Sequence, residues 1–193
     1  MRGNRRAAAT VTAGLLGGAT NVVLRRMEIA YARTDTLSNG VVTAMYATYA
    51  AHAAALSWSG ARRVWPVPLP ARSSRILGSA LAGGGFGIVL AGARPFGAGA
   101  QLSGTEPGSL HATGIYRYSR NPQYLGLGLL ATGVATATRS AFAAFDAAGV
   151  WLAFHRWVPS EEHHLTRIFG DRYTNYQASV RRWLGTRPQS GQH

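Results

Sequence analysis

The chain has 193 residues, 47% of them hydrophobic, and 20 basic residues against 7 acidic ones give a formal net charge of +13. The charged fraction of 14% lies far below the ~25% usual for soluble domains, and every Lys/Arg position is Arg. The absence of cysteine excludes a disulfide framework and any Cys-based metal or redox site, and the hydrophobic content excludes a disordered basic tail.

The first apolar block, Ala7 to Leu24, carries no charge and is framed by Arg2, Arg5 and Arg6 before it and by Arg25 and Arg26 after it. Gly40 to Trp58 is the second block and contains His52. Ile76 to Ala93 is the third, Gln123 to Thr138 the fourth and Ala141 to Val158 the fifth. Each is near the short end of the roughly 17 to 25 residues that cross a bilayer as a helix. A soluble bundle of this size needs helices with polar faces, and these blocks have almost none. Their Ala and Gly content suits close helix packing in lipid. The expected fold is therefore an all-α integral membrane bundle of about five transmembrane helices. The first block reads as a retained helix rather than a signal peptide, because it runs long and ends in Arg25-Arg26.

Counting Arg on alternate sides favours the C-terminal tail in the cytoplasm, although the basic N-terminal tail pulls the other way. The Arg residues are spread over the connectors rather than gathered in one stripe. That spacing suits anionic lipid headgroups and argues against nucleic acid.

The longest connector, 94–122, is punctuated by Gly, Pro, Ser and Thr and reads as loop. Pro122 suits the first turn of the fourth helix, which would leave Asn121 beside free helix N–H groups, a place for an anionic ligand group. Tyr116, Tyr118 and Tyr124 offer flat faces to an aromatic ligand; an interfacial aromatic belt accounts for them equally. After Trp157-Val158-Pro159, the residues Leu165, Ile168, Phe169, Tyr173, Tyr176, Val180 and Trp183 recur at helical spacing, with Arg mostly opposite. This predicts a C-terminal amphipathic helix lying in the membrane interface. Glu161 and Glu162 would then either complement that helix's N-terminal dipole or hold a cationic or hydroxyl-rich ligand. His163 and His164 point about 100° apart on a helix, so no metal site is expected.

His52 and Asp146 lie inside apolar blocks, where ionisable residues default to functional candidates. A neutral His52 hydrogen-bonded to a neighbouring helix is the simpler reading. Asp146 reads as a base, as a counter-ion to Arg139 or Arg156, or as a residue near a helix end. Gly126-x-Gly128-x-x-Ala131 formally fits a dinucleotide fingerprint, but it lacks the preceding strand and is rejected.

Two motifs together resemble the isoprenylcysteine carboxyl methyltransferase and phospholipid methyltransferase superfamily. One is Gly114-x-Tyr116-x-x-x-Arg120-Asn121-Pro122-x-Tyr124-x-Gly126. The other is Glu161-Glu162-x-x-Leu165-x-x-x-Phe169-Gly170-x-x-Tyr173-x-x-Tyr176-x-x-x-Val180-Arg181. The resemblance covers roughly residues 77 to 184. It implies a methyltransferase core over 76–193, preceded by two further helices in 1–75. It also implies S-adenosylmethionine as cofactor, bound on the cytoplasmic side of the cytoplasmic membrane, and a lipophilic, isoprenoid or lipid-like acceptor, with a carboxylate as one candidate for the methylated group.

Carried over by position, the cofactor contacts are Gln101, Gly108, Ser109, Leu110, His111, Tyr116, Asn121, Pro122, Gln123, Tyr124, Glu161 and Glu162. Arg120, Asn121 and Glu161 are implied at the reacting centre. Two positions depart from the pattern. The family commonly has His where this chain has Asn121, which hydrogen-bonds but carries no proton. The isoprenylcysteine enzymes place a substrate-binding Arg where this chain has Trp157, so a prenylcysteine carboxylate acceptor lacks its partner. Two other readings stay open: a membrane reductase of the sterol-reductase type using NADPH, and a scaffold without catalysis.

Overall fold

The computed structural model describes residues 2–96 and 109–186, with side chains from residue 7 onward. Six α-helices account for most of it, and no strand occurs among the described residues. They are α1 (Arg2–Thr34), α2 (Asn39–Arg62), α3 (Ala71–Ala93), α4 (Pro122–Thr138), α5 (Ala141–Phe169) and α6 (Asp171–Ser179). Each of the five apolar blocks lies within one of the first five helices.

Polar residues at the block edges set the helix ends. The Ser38 hydroxyl accepts from the Val41 N–H at the start of α2, which satisfies one of the donors a helix start leaves free. Ser140 does the same for Ala143 in α5 and also donates to the Val64 carbonyl at 2.7 Å, fixing the α2–α3 connector against the α4–α5 turn. Arg63 and Arg139 close α2 and α4 in the left-handed region. Pro122 occupies the first turn of α4, as its missing N–H allows.

α3 and α4 form the closest pair. A Cβ on Gly133 would lie 2.6 Å from the Gly78 carbonyl oxygen, and one on Gly126 would lie 2.6 Å from that of Gly85. No side chain fits between these backbones, and the close contact is the packing mode that small residues permit. Gly128, the middle residue of the rejected fingerprint, instead receives the Trp151 ring. α5 is the central helix, packed on α1, α2, α4 and α6. Its buried Phe142, Ala143, Ala147 and Trp157 join three core clusters along its length.

Large apolar side chains also cover the outside: Val11, Leu15 and Val22 on α1, Ile76, Leu77, Phe86 and Leu90 on α3, Phe145 and Leu152 on α5. Two segments, Ala7–Thr34 and Ala71–Phe96, are long and apolar enough to cross a membrane, and only 17% of each apolar window is buried. A soluble core helix would be mostly buried.

The C-terminal region differs from the expected single interfacial helix. α5 does not stop before Pro159 but runs on to Phe169, so Glu161 and Glu162 lie inside it rather than at a helix start. Pro159 only removes its own bond to the preceding turn. The chain then breaks at Gly170, with φ +54° and ψ −130°, a conformation suited to glycine. The predicted apolar face is thus divided: Leu165 and Phe169 end α5, while Tyr173 and Tyr176 lie on the short α6. They meet around Tyr116 and Val180 in one cluster.

Candidate functional site

At one end of the bundle, the C-terminal part of α3, the 109–121 segment, the start of α4, the last turns of α5 and α6 surround a cavity of about 400 Å³. Met27 and Tyr31 of α1 and Met45 and Tyr49 of α2 close its side. The volume suits a small-molecule ligand.

The wall is held by a buried carboxylate facing away from the cavity. Glu162 is 4% exposed. It takes Arg182 Nη2 at 2.7 Å and Nε at 3.1 Å on Oε2, and Arg120 Nη2 at 3.1 Å on Oε1. The Asn121 amide donates to the same Oε1 at 3.2 Å and to the Arg182 carbonyl oxygen at 3.2 Å. Arg120 N–H adds a bond to the Arg181 carbonyl oxygen. These contacts tie the segment before α4, the end of α5 and the 180–186 tail into one unit. Two guanidiniums and an amide on one carboxylate offset the cost of burying it. Arg120 Nε, also buried, has no partner among the described residues.

Glu161, one residue earlier and therefore about 100° around α5, faces the cavity. Its Oε2 accepts the Trp157 indole N–H at 3.1 Å, and the Tyr124 hydroxyl oxygen lies 2.9 Å from the same nitrogen. Glu161 has no ion-pair partner among the described residues. Burial raises its carboxyl above the usual range. The hydrogen bonds from Tyr124 and Trp157 lower it in part, and the Glu162 charge beside it raises it again.

The opposite wall is aromatic. The Tyr116 hydroxyl donates to the Gly92 carbonyl oxygen at 3.0 Å. Gln123 Nε2 reaches both that carbonyl (3.2 Å) and the Tyr116 hydroxyl oxygen (3.2 Å). The Tyr176 hydroxyl donates to the Tyr116 carbonyl oxygen at 2.7 Å. Burial pushes the Tyr116 phenol up to about 12, so it stays a neutral donor. Phe96 and His111 stack edge to face beside it, with ring centroids 4.6 Å apart.

The mouth is strapped by a second polar group. Arg167 reaches Asp35 and the Tyr31 carbonyl oxygen, and the His164 ring lies flat on Tyr31 with centroids 3.9 Å apart. Burial and the neighbouring Arg167 lower the His164 pKa, so this ring stays neutral near pH 7.

Of the residues the sequence singles out, Ser109, Leu110, His111, Tyr116, Arg120, Asn121, Pro122, Gln123, Tyr124 and Glu161 all line this cavity. Glu162 lies behind the wall, and Gln101 and Gly108 fall outside the described residues. Asn121 does not use its side chain to cap α4; the amide is committed to Glu162 and Arg182. Sequence reasoning missed Arg182 and the Tyr31–Asp35–His164–Arg167 strap, whose partners lie far apart in the chain. The sequence marks Trp157 as a substitution for Arg and gives no sign of its part as a hydrogen-bond donor. Tyr118, grouped with the ligand-facing tyrosines, is exposed and does not line the cavity.

No curated protein and no solved structure matches the chain. A family model described as phospholipid methyltransferase matches residues 73–172, over half of the chain, and covers the first motif whole and the second as far as Gly170. With that match falling on the helices and segments that build the cavity, the chain belongs to the phospholipid methyltransferase family.

Proposed function

We propose that the protein is an integral membrane enzyme that transfers a methyl group from S-adenosylmethionine to the amine of a lipid. The observation that carries this reading is the pairing of two groups in one cavity. Both Glu161 and Arg120 line it, and among the described residues Glu161 has no cationic partner and the buried Arg120 Nε has no acceptor. A ligand with both a carboxylate and cationic centres satisfies both, and S-adenosylmethionine is such a ligand. Tyr116, Phe96 and His111 supply aromatic faces for its purine. When bound, the cofactor supplies a sulfonium-activated methyl group. The protein's part is to hold donor and acceptor in line at about 3 to 3.5 Å, and such positioning supplies much of the rate.

The acceptor reading rests on charge. Trp157 stands where the isoprenylcysteine enzymes carry a carboxylate-binding Arg, and Arg120 is committed through its Nη2 to Glu162. Among the described residues Arg120 is the one guanidinium that lines the cavity, so none is left over for an acceptor carboxylate, whereas an amine needs none. The family name points to phospholipid headgroups as well.

The bilayer setting follows from the exposed apolar faces of α1, α3 and α5. We place α1 to α5 across the membrane, with the cavity on the cytoplasmic side where the polar cofactor is available. α4, with 17 residues, sits at the lower limit of a span. The test uses membranes containing the protein, a lipid extract and methyl-labelled S-adenosylmethionine, with mass spectrometry of the labelled product. Label on an aminolipid is the expected result. Label on a fatty carboxylate, or none, contradicts the acceptor assignment.

A further inference from the structure

A second cavity, of about 130 Å³, lies between α1, α2, α4 and α5. It adjoins the first: Met27, Met45, Tyr49, Leu127 and Trp157 line both. Its walls are nearly all apolar, and two of the exceptions, Thr20 and His52, belong to one chain of hydrogen bonds. His52 Nδ1 lies 2.7 Å from Asp146 Oδ1, and His52 Nε2 lies 2.9 Å from Thr20 Oγ1. Asp146 is 6% exposed, and its Oδ2 is buried without a hydrogen-bond partner among the described residues.

A structural staple between three helices would account for the bonds alone. It does not account for two of the three residues, Thr20 and His52, lining an otherwise apolar cavity that shares a wall with the first. The triad is also too remote for chemistry at the methyl group. Asp146 and Glu161 are separated by about 22 Å along α5 at 1.5 Å per residue. A Thr-His-Asp chain invites a comparison with nucleophilic triads. Here the helical backbone N–H groups around it are already bonded, so no oxyanion site accompanies it.

We propose that Thr20, His52 and Asp146 form a distal recognition site for a hydroxyl group carried far along the apolar chain of the acceptor lipid. This rests on the lipid-acceptor reading above. A hydroxyl is the group that fits, because it both donates and accepts. With His52 neutral, Nδ1–H donates to Asp146 and Nε2 accepts from Thr20, leaving the Thr20 oxygen to accept the ligand O–H. With His52 protonated, Nε2–H donates to Thr20, whose own proton is then free for the ligand oxygen. At this depth no water competes, so an unmatched hydroxyl elsewhere in the bilayer core is costly and a matched one is selected.

The test measures equilibrium binding of two probes, octadecylamine and its ω-hydroxylated counterpart, to the full chain in lipid nanodiscs, with S-adenosylhomocysteine binding measured on the same samples. The hydroxylated amine is expected to bind about tenfold tighter, the worth of one or two net hydrogen bonds. Thr20→Val should erase that preference while leaving S-adenosylhomocysteine binding intact, and Thr20→Ser should restore it. Equal behaviour of the two probes on wild type, including failure of both to bind, overturns the distal site. A preference unchanged in Thr20→Val overturns it too. Loss of S-adenosylhomocysteine binding in the wild type is a different failure and removes the methyltransferase reading itself.

Discussion

The Trp157 indole N–H reaches Oε2 of Glu161, one turn further along α5, at 3.1 Å. The same nitrogen lies 2.9 Å from the Tyr124 hydroxyl, so one donor joins the α4 and α5 walls of the cavity and aims the carboxylate that we assign to the cofactor's cationic end. Trp157 is 1% exposed and packs with Leu24, Met27, Leu37 and Met45.

Trp157→Phe keeps most of that packing and removes the N–H. A hydrogen bond to a charged group is worth roughly 1.5–3 kcal/mol. S-adenosylmethionine affinity should therefore fall by about tenfold or more, read by isothermal titration, with the thermal midpoint changing little.

The adjacent carboxylates separate cleanly by role. Glu162→Ala leaves Arg120 and Asn121 buried with unmet donors and should cost about 3–5 kcal/mol, seen as a large drop in the melting midpoint. Glu161→Gln should melt near wild type while losing ligand binding. Arg182→Ala should fall between the two variants in stability, because its side chain is 36% exposed and water replaces part of what is lost.

The backbone contact between α3 and α4 makes a sharp steric prediction. Gly133→Val places side-chain atoms against the Gly78 carbonyl and the Ala82 backbone and should prevent recovery of folded protein, read by size exclusion after detergent extraction. Gly84 meets nothing within 4 Å. Gly84→Ala should be neutral or add about 0.5–1 kcal/mol through helix propensity.

Glu161 gives a pH dependence with a definite sign. Its folded pKa lies above the usual 4.5, so over the window from the ordinary value up to the raised one the folded chain holds a proton that the unfolded chain has lost. Its stability contribution is full below that window and is lost as pH rises through it. Binding runs the other way, because a cationic ligand needs the ionised form: S-adenosylmethionine affinity should rise with pH across the same window. Titrations at several pH values should show this slope in the wild type, while Glu161→Gln shows no binding at any of them.

Much of this molecule was legible in the sequence because its helices are apolar blocks between Arg residues. What the blocks hid was helix length. α1 runs past Arg25 and Arg26 because both side chains are exposed while Met27 returns to the core. α5 runs past Pro159 because losing one backbone bond does not end a helix packed on four neighbours. The site motifs located the cavity but not the division of labour between Glu161 and Glu162, which depends on helical phase at a place the sequence suggested was a helix start. Arg182, 20 positions further along, carried no local signal that it would pair with Glu162. The pair His52 and Asp146 was visible as two buried ionisable residues; that they bond each other follows only from the packing of α2 on α5.

Equilibrium binding to the purified chain in nanodiscs, with S-adenosylmethionine and NADPH titrated separately, tests the central claim most directly. The account predicts saturable S-adenosylmethionine binding at one site, lost in Glu161→Gln without a change in melting, and no NADPH binding. Binding of NADPH in place of S-adenosylmethionine, or S-adenosylmethionine affinity unaffected by Glu161→Gln, would contradict it.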